Sequence, residues 1–175
     1  MELGLTFPLQ RFLHTEPLPY GVDLQRGFCW DLHVITLGGK KSLLAVHCLS
    51  RYTFVRYAPT WGEWRDPGRL FRLGLEESLE DAGLKREQVQ NYLARAGEVI
   101  FSRTHGRREV AFLNRAWEDV LSMEHCLDRE ASAQPLLDRA VNTLPCRCAG
   151  LPGLDCAQNR ISAAFLAADG RRMTV

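Results

Sequence analysis

No apolar run in this sequence approaches the ~20 residues that a membrane-spanning helix needs, so no partner membrane is expected. The opening Met1-Glu2-Leu3-Gly4-Leu5 lacks a basic region and a continuous apolar stretch, so it does not read as a secretory signal. The expected location is therefore the cytoplasm, where the six cysteines would be free thiols. An excess of either charge is also missing. Twenty-two basic residues face 21 acidic ones, a formal net charge of +1. That balance excludes a broadly basic nucleic-acid binder but leaves room for a local basic patch. There is no internal repeat, no lipidation tail, no Gly-rich phosphate loop and no local signature of a catalytic cysteine.

What remains is an ordinary globular composition, 46% hydrophobic and 25% charged over 175 residues. That length suits a single domain, 1–175, with one sizeable core. Residues 1–28 read as an irregular arm, because Pro8, Pro17, Pro19 and Gly21 forbid a long helix. Phe7, Leu9, Phe12 and Leu13 could still supply a short docked strand or turn. From Trp30 to Leu37 the residues are β-rich, Gly38-Gly39 signals a turn, and 42–49 follow, apolar on both faces. A third strand is expected at 52–57. Helical spacing predicts helices at about 68–82 and 85–95, a strand at 98–103, and helices at about 107–123 and 131–144. Residues 161–168 fit a strand or a helix, and 170–175 read as a frayed end. Strands grouped before helices imply an α+β fold. The expected sheet is antiparallel, an N-terminal meander plus one later strand, covered on one face by about four helices. No alternating βαβ unit is visible.

Three groups of residues could carry chemistry. Arg103, His105, Arg107 and Arg108 surround the turn that opens the 107–123 helix. Arginine forks and helix-opening amides suit an anion, so this is the candidate phosphate site. Trp61 and Trp64, with Tyr57, lie on a loop poor in other apolar residues and suit a protein-interaction surface. Cys146, Cys148 and Cys156 resemble a metal knuckle that His125-Cys126 could complete. The Cys-x-Cys spacing is tighter than the usual structural zinc pattern, so no metal or other cofactor is expected. His33 and His47 fall on one predicted hairpin, whose paired residue numbers sum to about 77. This puts His33 opposite Leu44 and His47 near Trp30, which reads as two core histidines. Asp31, Glu63, Asp66 and Glu98 are scattered, and Glu76, Glu77, Glu80 and Asp81 form the solvated face of a helix.

Three segments together resemble an uncharacterised bacterial family, a domain of unknown function. Its pattern begins Trp-His-(small)-Asn/His-Leu, here Trp30-Asp31-Leu32-His33-Val34. Next comes an apolar strand ending Val-His-x-x-x-Arg-aromatic, here Val46-His47-Cys48-Leu49-Ser50-Arg51-Tyr52. Thr-x-x-Arg-Ser-Val-x-Gly-x-x-Asn then opens a helix, here Thr104 to Asn114, and two cysteines follow, here Cys146 and Cys156. Asp31, Glu109 and Ala111 stand where the family has histidine, valine and glycine. The resemblance spans residues 29–156, leaving 157–175 as a C-terminal segment. It implies a bacterial α+β protein and no particular reaction.

The residues favour binding over catalysis. The expected function is a non-catalytic interaction or regulatory protein with a protein partner, and an oligomer is compatible. The resemblance implies a mobile-element or defence setting, such as a toxin–antitoxin component or an inhibitor of a host system. The alternatives are a phosphate-ligand protein or enzyme using Arg103–Arg108, acting on nucleotide or RNA, and a cysteine-based zinc or redox regulator. Nucleic acid is the less favoured partner.

Overall fold

The computed structural model describes residues 1–21, 25–148 and 151–170. A five-stranded sheet with strand order β4-β3-β2-β1-β5 organises the chain. Its strands are β1 (Glu2–Leu5), β2 (Cys29–Leu37), β3 (Lys40–His47), β4 (Thr53–Arg56) and β5 (Ile100–Arg103). The helices are α1 (Phe7–Leu13), α2 (Trp61–Trp64), α3 (Pro67–Asp81), α4 (Arg86–Ala96), α5 (Arg107–Ser122), α6 (Pro135–Asn142) and α7 (Ala157–Gly170). A two-residue pair, β6 (Pro145–Cys146) with β7 (Asp155–Cys156), lies before α7.

The hairpin follows the expected register. Trp30 pairs with His47 and His33 with Leu44 about the Gly38-Gly39 turn, where both glycines adopt positive φ. Helices α3, α4 and α5 sit where their apolar spacing places them. Helix α6 starts at Pro135, whose missing N–H costs nothing in the first turn. Segment 161–168 is helical, within α7. Residues 171–175 of the expected frayed end lie outside the described residues.

The α+β class holds, with two differences in the sheet. It is mixed: β1 runs parallel to both β2 and β5. Residues 2–5 are thus an interior strand rather than part of an irregular arm, and β1–α1–β2 is a crossover unit. Four residues with Glu2 first carry too short an alternation to be seen in the sequence. Helices also cover both faces. Leu3, Leu5, Trp30, Leu32, Leu43, Ala45 and Phe54 pack with Phe71 and Leu75 of α3, Val89 of α4 and Ile161 of α7. Ile35, Leu37, Leu44, Val46 and Val55 pack with Leu113, Ala116 and Val120 of α5 and Leu137 and Val141 of α6. A strand apolar on both sides, as β3 is, needs a cover on both.

Side chains of α6 finish the edge strand β4. The Val55 amide donates to Asp138 Oδ1 at 3.0 Å and the Thr53 amide to Asn142 Oδ1 at 2.8 Å. Asn142 Nδ2 returns a bond to the Thr53 carbonyl at 2.6 Å. Edge groups that would otherwise template another strand are therefore occupied. Burial pushes the Asp138 carboxyl well above the usual carboxylate range, although the Ser78 hydroxyl and Val55 amide pull it down. The folded state keeps this proton at pH values where the unfolded chain has lost it. The group's stabilisation is full below the unfolded value and is lost as pH rises through the window above it. Urea unfolding at a series of pH values between about 4 and 8 should show this decline in the wild type and a flatter profile in Asp138→Asn. Superimposable profiles would refute it.

Candidate metal centre at Asp31, Cys48 and His105

Along β2, Cys29, Asp31 and His33 alternate onto one face while Trp30 and Leu32 enter the core on the other. Cys48 follows β3 directly, and its amide bonds the Cys29 carbonyl at 3.0 Å. His105 comes from the turn between β5 and α5, just before Gly106 (φ +124). The turn drops the imidazole back onto the sheet. His105 Nδ1 lies 2.7 Å from Asp31 Oδ1 and 3.4 Å from Cys48 Sγ, and the His105 amide donates to Asp31 Oδ1 at 3.3 Å. The other ring nitrogen, Nε2, is 3.6 Å from Glu2 Oε1. Asp31 is 1% exposed and the His105 side chain 5%.

Gly4 of β1, register partner of Asp31, makes this approach possible. A Cβ there would stand 2.1 Å from Asp31 Oδ1, 2.9 Å from His105 Nδ1 and 3.0 Å from the Thr104 Cα. Only a residue without a side chain fits.

The donor types and their convergence define the chemistry. Among the described residues, ligand atoms of Asp31, Cys48 and His105 lie within 4.8 Å of one another, and those of Glu2, Cys29 and His105 do likewise. Carboxylate, thiol and imidazole together suit a zinc-class ion. Asp31 and Cys48 address the same ring nitrogen, so these two do not form a Cys–His–Asp relay with His105; a relay needs one on each nitrogen. Burial also pushes the Cys48 thiol up to about 12, which disables it as a nucleophile. A bound cation would reverse that, since coordination deprotonates a thiol. Burial alone would lower the His105 imidazole, but its bond to Asp31, helped by Cys29 and Cys48, raises it instead. Asp31 Oδ2 has no hydrogen-bond partner among the described residues, an arrangement that buried polar atoms rarely keep.

The residues singled out from sequence are dispersed. His105 turns inward to Asp31. Arg103 is exposed, donates to the Leu18 carbonyl at 2.9 Å and stacks on Tyr20. Arg108 pairs with Glu109 at 2.7 Å, Arg26 engages the same carboxylate, and Arg107 is exposed. The four therefore do not form one anion site. Trp64 and Tyr57 are 3% and 6% exposed and belong to the core, whereas Trp61 is 53% exposed. Phe12 meets both tryptophan rings edge-on, which folds the loop back onto α1. Cys146, Cys148 and Cys156 are absent from the convergent donor groups among the described residues. His33 bonds Thr6 Oγ1 at 2.8 Å, and His47 bonds Ser50 Oγ at 2.8 Å.

Glu2, Cys29, Asp31 and Cys48 were missed as a group. A signal existed for two of them: the sum-77 register already sets Cys48 opposite Cys29, two residues from Asp31. Nothing local joins them to His105, which is 74 residues from Asp31 in the chain.

The fold and site define a mixed-sheet α+β domain with a buried carboxylate–thiol–imidazole cluster. A family model described as Domain of unknown function (DUF6933) matches residues 2–153, and the chain belongs to that family. The matched span includes β1, so the family region begins well before residue 29. No curated protein matches the chain. No helix among the described residues is long and apolar enough to cross a membrane.

Proposed function

We propose that this domain is a non-catalytic metal-binding module that takes one zinc-class ion on Asp31, Cys48 and His105. The observation that carries the reading is the convergence of three different ligand types on one buried point, with Asp31 Oδ2 still unpartnered among the described residues. Three protein ligands leave a fourth position on a tetrahedral ion, and burial of the site keeps a substrate away from it, which favours a structural or regulatory ion over a catalytic one. The site ties β2, the end of β3 and the β5–α5 turn together, so metal loading would set how firmly α5 seats on the sheet.

The test is elemental analysis of untagged protein together with cobalt substitution. One metal per chain is expected, and Co(II) should give a thiolate charge-transfer band in the near ultraviolet that Cys48→Ser removes. Chelation should lower the thermal midpoint of the wild type but not of Cys48→Ser. Sub-stoichiometric metal with no thiolate band would refute the reading.

A second reading has its own observation. A cleft of about 860 Å³ lies at the carboxyl ends of β1 and β5, where ligands of parallel strands commonly bind. Arg11, His14 and Arg103 line it, with no carboxylate among its described lining residues. This moves the anion reading from the Arg107–Arg108 turn to the other side of Arg103. Phosphate or nucleotide titrated into wild type and Arg11→Ala/Arg103→Ala should separate the two: binding is expected only in the wild type, with the double substitution weakening it at least tenfold. Equal binding would exclude the cleft.

A further inference from the structure

The second thiol cluster is built differently from the first. Cys146 lies on β6 opposite Asp155 and is partly exposed, while Cys148, two residues on, is buried. The two thiols are close enough to influence each other's ionisation. Cys148 Sγ also donates to the Ser50 carbonyl at 3.2 Å. Arg160 of α7 is buried, and its Nη1 reaches Cys146 Sγ at 3.7 Å while Nη2 donates to the Gly153 carbonyl at 3.1 Å. Arg51, held in a left-handed conformation (φ +64), lines the same shallow pocket as Cys146 and stacks on Phe112.

Neither guanidinium forms an ion pair with a carboxylate among the described residues. A buried Arg160 calls for a nearby anion, and the ionisable groups it reaches are the two thiols, with Cys146 Sγ at 3.7 Å. The neighbouring Cys148, with Arg51 and Arg160 nearby, brings Cys146 down to about 6 against the effect of burial, while Cys148 is pushed up. Cys146, partly exposed and beside Arg160, is the sulfur placed to ionise, and Cys148, buried and donating to the Ser50 carbonyl, is the one placed to keep its proton. That is the division of labour between an attacking and a resolving cysteine.

We propose that Cys146 and Cys148 are a redox-active dithiol that reacts with a low-molecular-weight disulfide and closes reversibly into an intrachain Cys146–Cys148 bond. The Cys146 thiolate attacks one sulfur of the small disulfide. A new S–S bond forms, the original one breaks, and the released thiolate takes a proton from water. The Cys148 thiol then gives up its proton and attacks Cys146 Sγ, expelling the second small thiol. Two electrons pass from the protein to the small disulfide, yielding two small thiols and one protein disulfide. The closed loop spans a single intervening residue, Arg147, so it stabilises the fold little and opens easily. Such a bond suits a switch more than a staple.

The experiment equilibrates the full chain with reduced and oxidised glutathione at a series of ratios. Samples are acid-quenched and alkylated, then digested at acidic residues, so that Arg147 stays uncut and both cysteines remain in one peptide. In the wild type this peptide should pass reversibly, through one midpoint, from doubly alkylated to unalkylated and two hydrogens lighter. In Cys148→Ser the mixed disulfide with glutathione should accumulate on Cys146. Persistent double alkylation at every ratio would overturn the proposal. So would a bond to Cys156, or glutathione on Cys148 in the wild type. The wild-type peptide decides the outcome even if the variant folds poorly. Peptides carrying Cys29 and Cys48 report the metal site separately.

Discussion

Trp30→Ala should destabilise the fold by about 3–5 kcal/mol, the usual cost of emptying a large aromatic site in a core. Trp30 is fully buried, and its indole centroid lies 4.7 Å from the His47 ring, 5.4 Å from Phe71 and 5.8 Å from Phe54. Strands β2, β3 and β4 and helix α3 therefore meet on one side chain, and surrounding backbone held in a sheet cannot collapse into the space. There is a polar loss as well. Trp30 Nε1 donates to Tyr92 Oη at 2.9 Å, and that hydroxyl donates to the Gly27 carbonyl at 2.8 Å. Trp30→Phe keeps most of the apolar contact and loses the donor, so about 1–2 kcal/mol is expected. Chemical unfolding of the two variants measures both. A cost below about 1 kcal/mol for Trp30→Ala would mean that this is not the centre of the core.

Gly4→Ala is expected to do more damage than its single methyl group suggests. The added carbon would overlap the Asp31 carboxylate and press on the His105 ring and the Thr104 backbone. Overpacking of this kind costs about 1–3 kcal/mol, and more where backbone must move. Stoichiometric metal uptake should be lost with it, because Asp31 and His105 can no longer reach one point. Gly62→Ala is the control: its Cβ would meet only Thr60 Oγ1 at 3.8 Å, and a change within about 0.5 kcal/mol is expected there. Equilibrium unfolding and elemental analysis read the two effects separately. Unchanged stability and full metal loading in Gly4→Ala would remove the steric basis of the site.

Local signals made the hairpin legible. Gly38-Gly39 sets the turn, so the pairing of Trp30 with His47 and His33 with Leu44 follows by counting. The long helices were legible too, because Val110, Leu113, Trp117, Val120 and Leu121 repeat at helical spacing, although only Leu113 and Val120 of these are buried. Strand β1 was not, since Leu3 and Leu5 show only one alternation and the prolines that follow suggest a loose arm. Trp64 and Tyr57 looked exposed because their neighbours in sequence are polar, yet Phe12 and the β4 side of the sheet cover them. His105 could be picked out but not its partner. The sequence places it beside arginines, whereas the fold places it on Asp31, and no periodicity links positions 74 residues apart.

The position of β1 also bears on how the chain reaches this structure. Its neighbours in the sheet are supplied by Cys29–Leu32 on one side and Ile100–Arg103 on the other. During synthesis β1 meets Cys29–Leu32 early and Ile100–Arg103 only much later. Closing so long a loop is entropically slow. The outer edge of β1, which β5 later covers, should therefore stay open to spurious pairing until residues 100–103 have been made. Pulse-labelled hydrogen exchange during refolding should find the amides shared by β1 and β5 protected after those of the β2–β3 hairpin. A chaperone that shields strand edges should raise the yield of folded protein more than one that only prevents collapse.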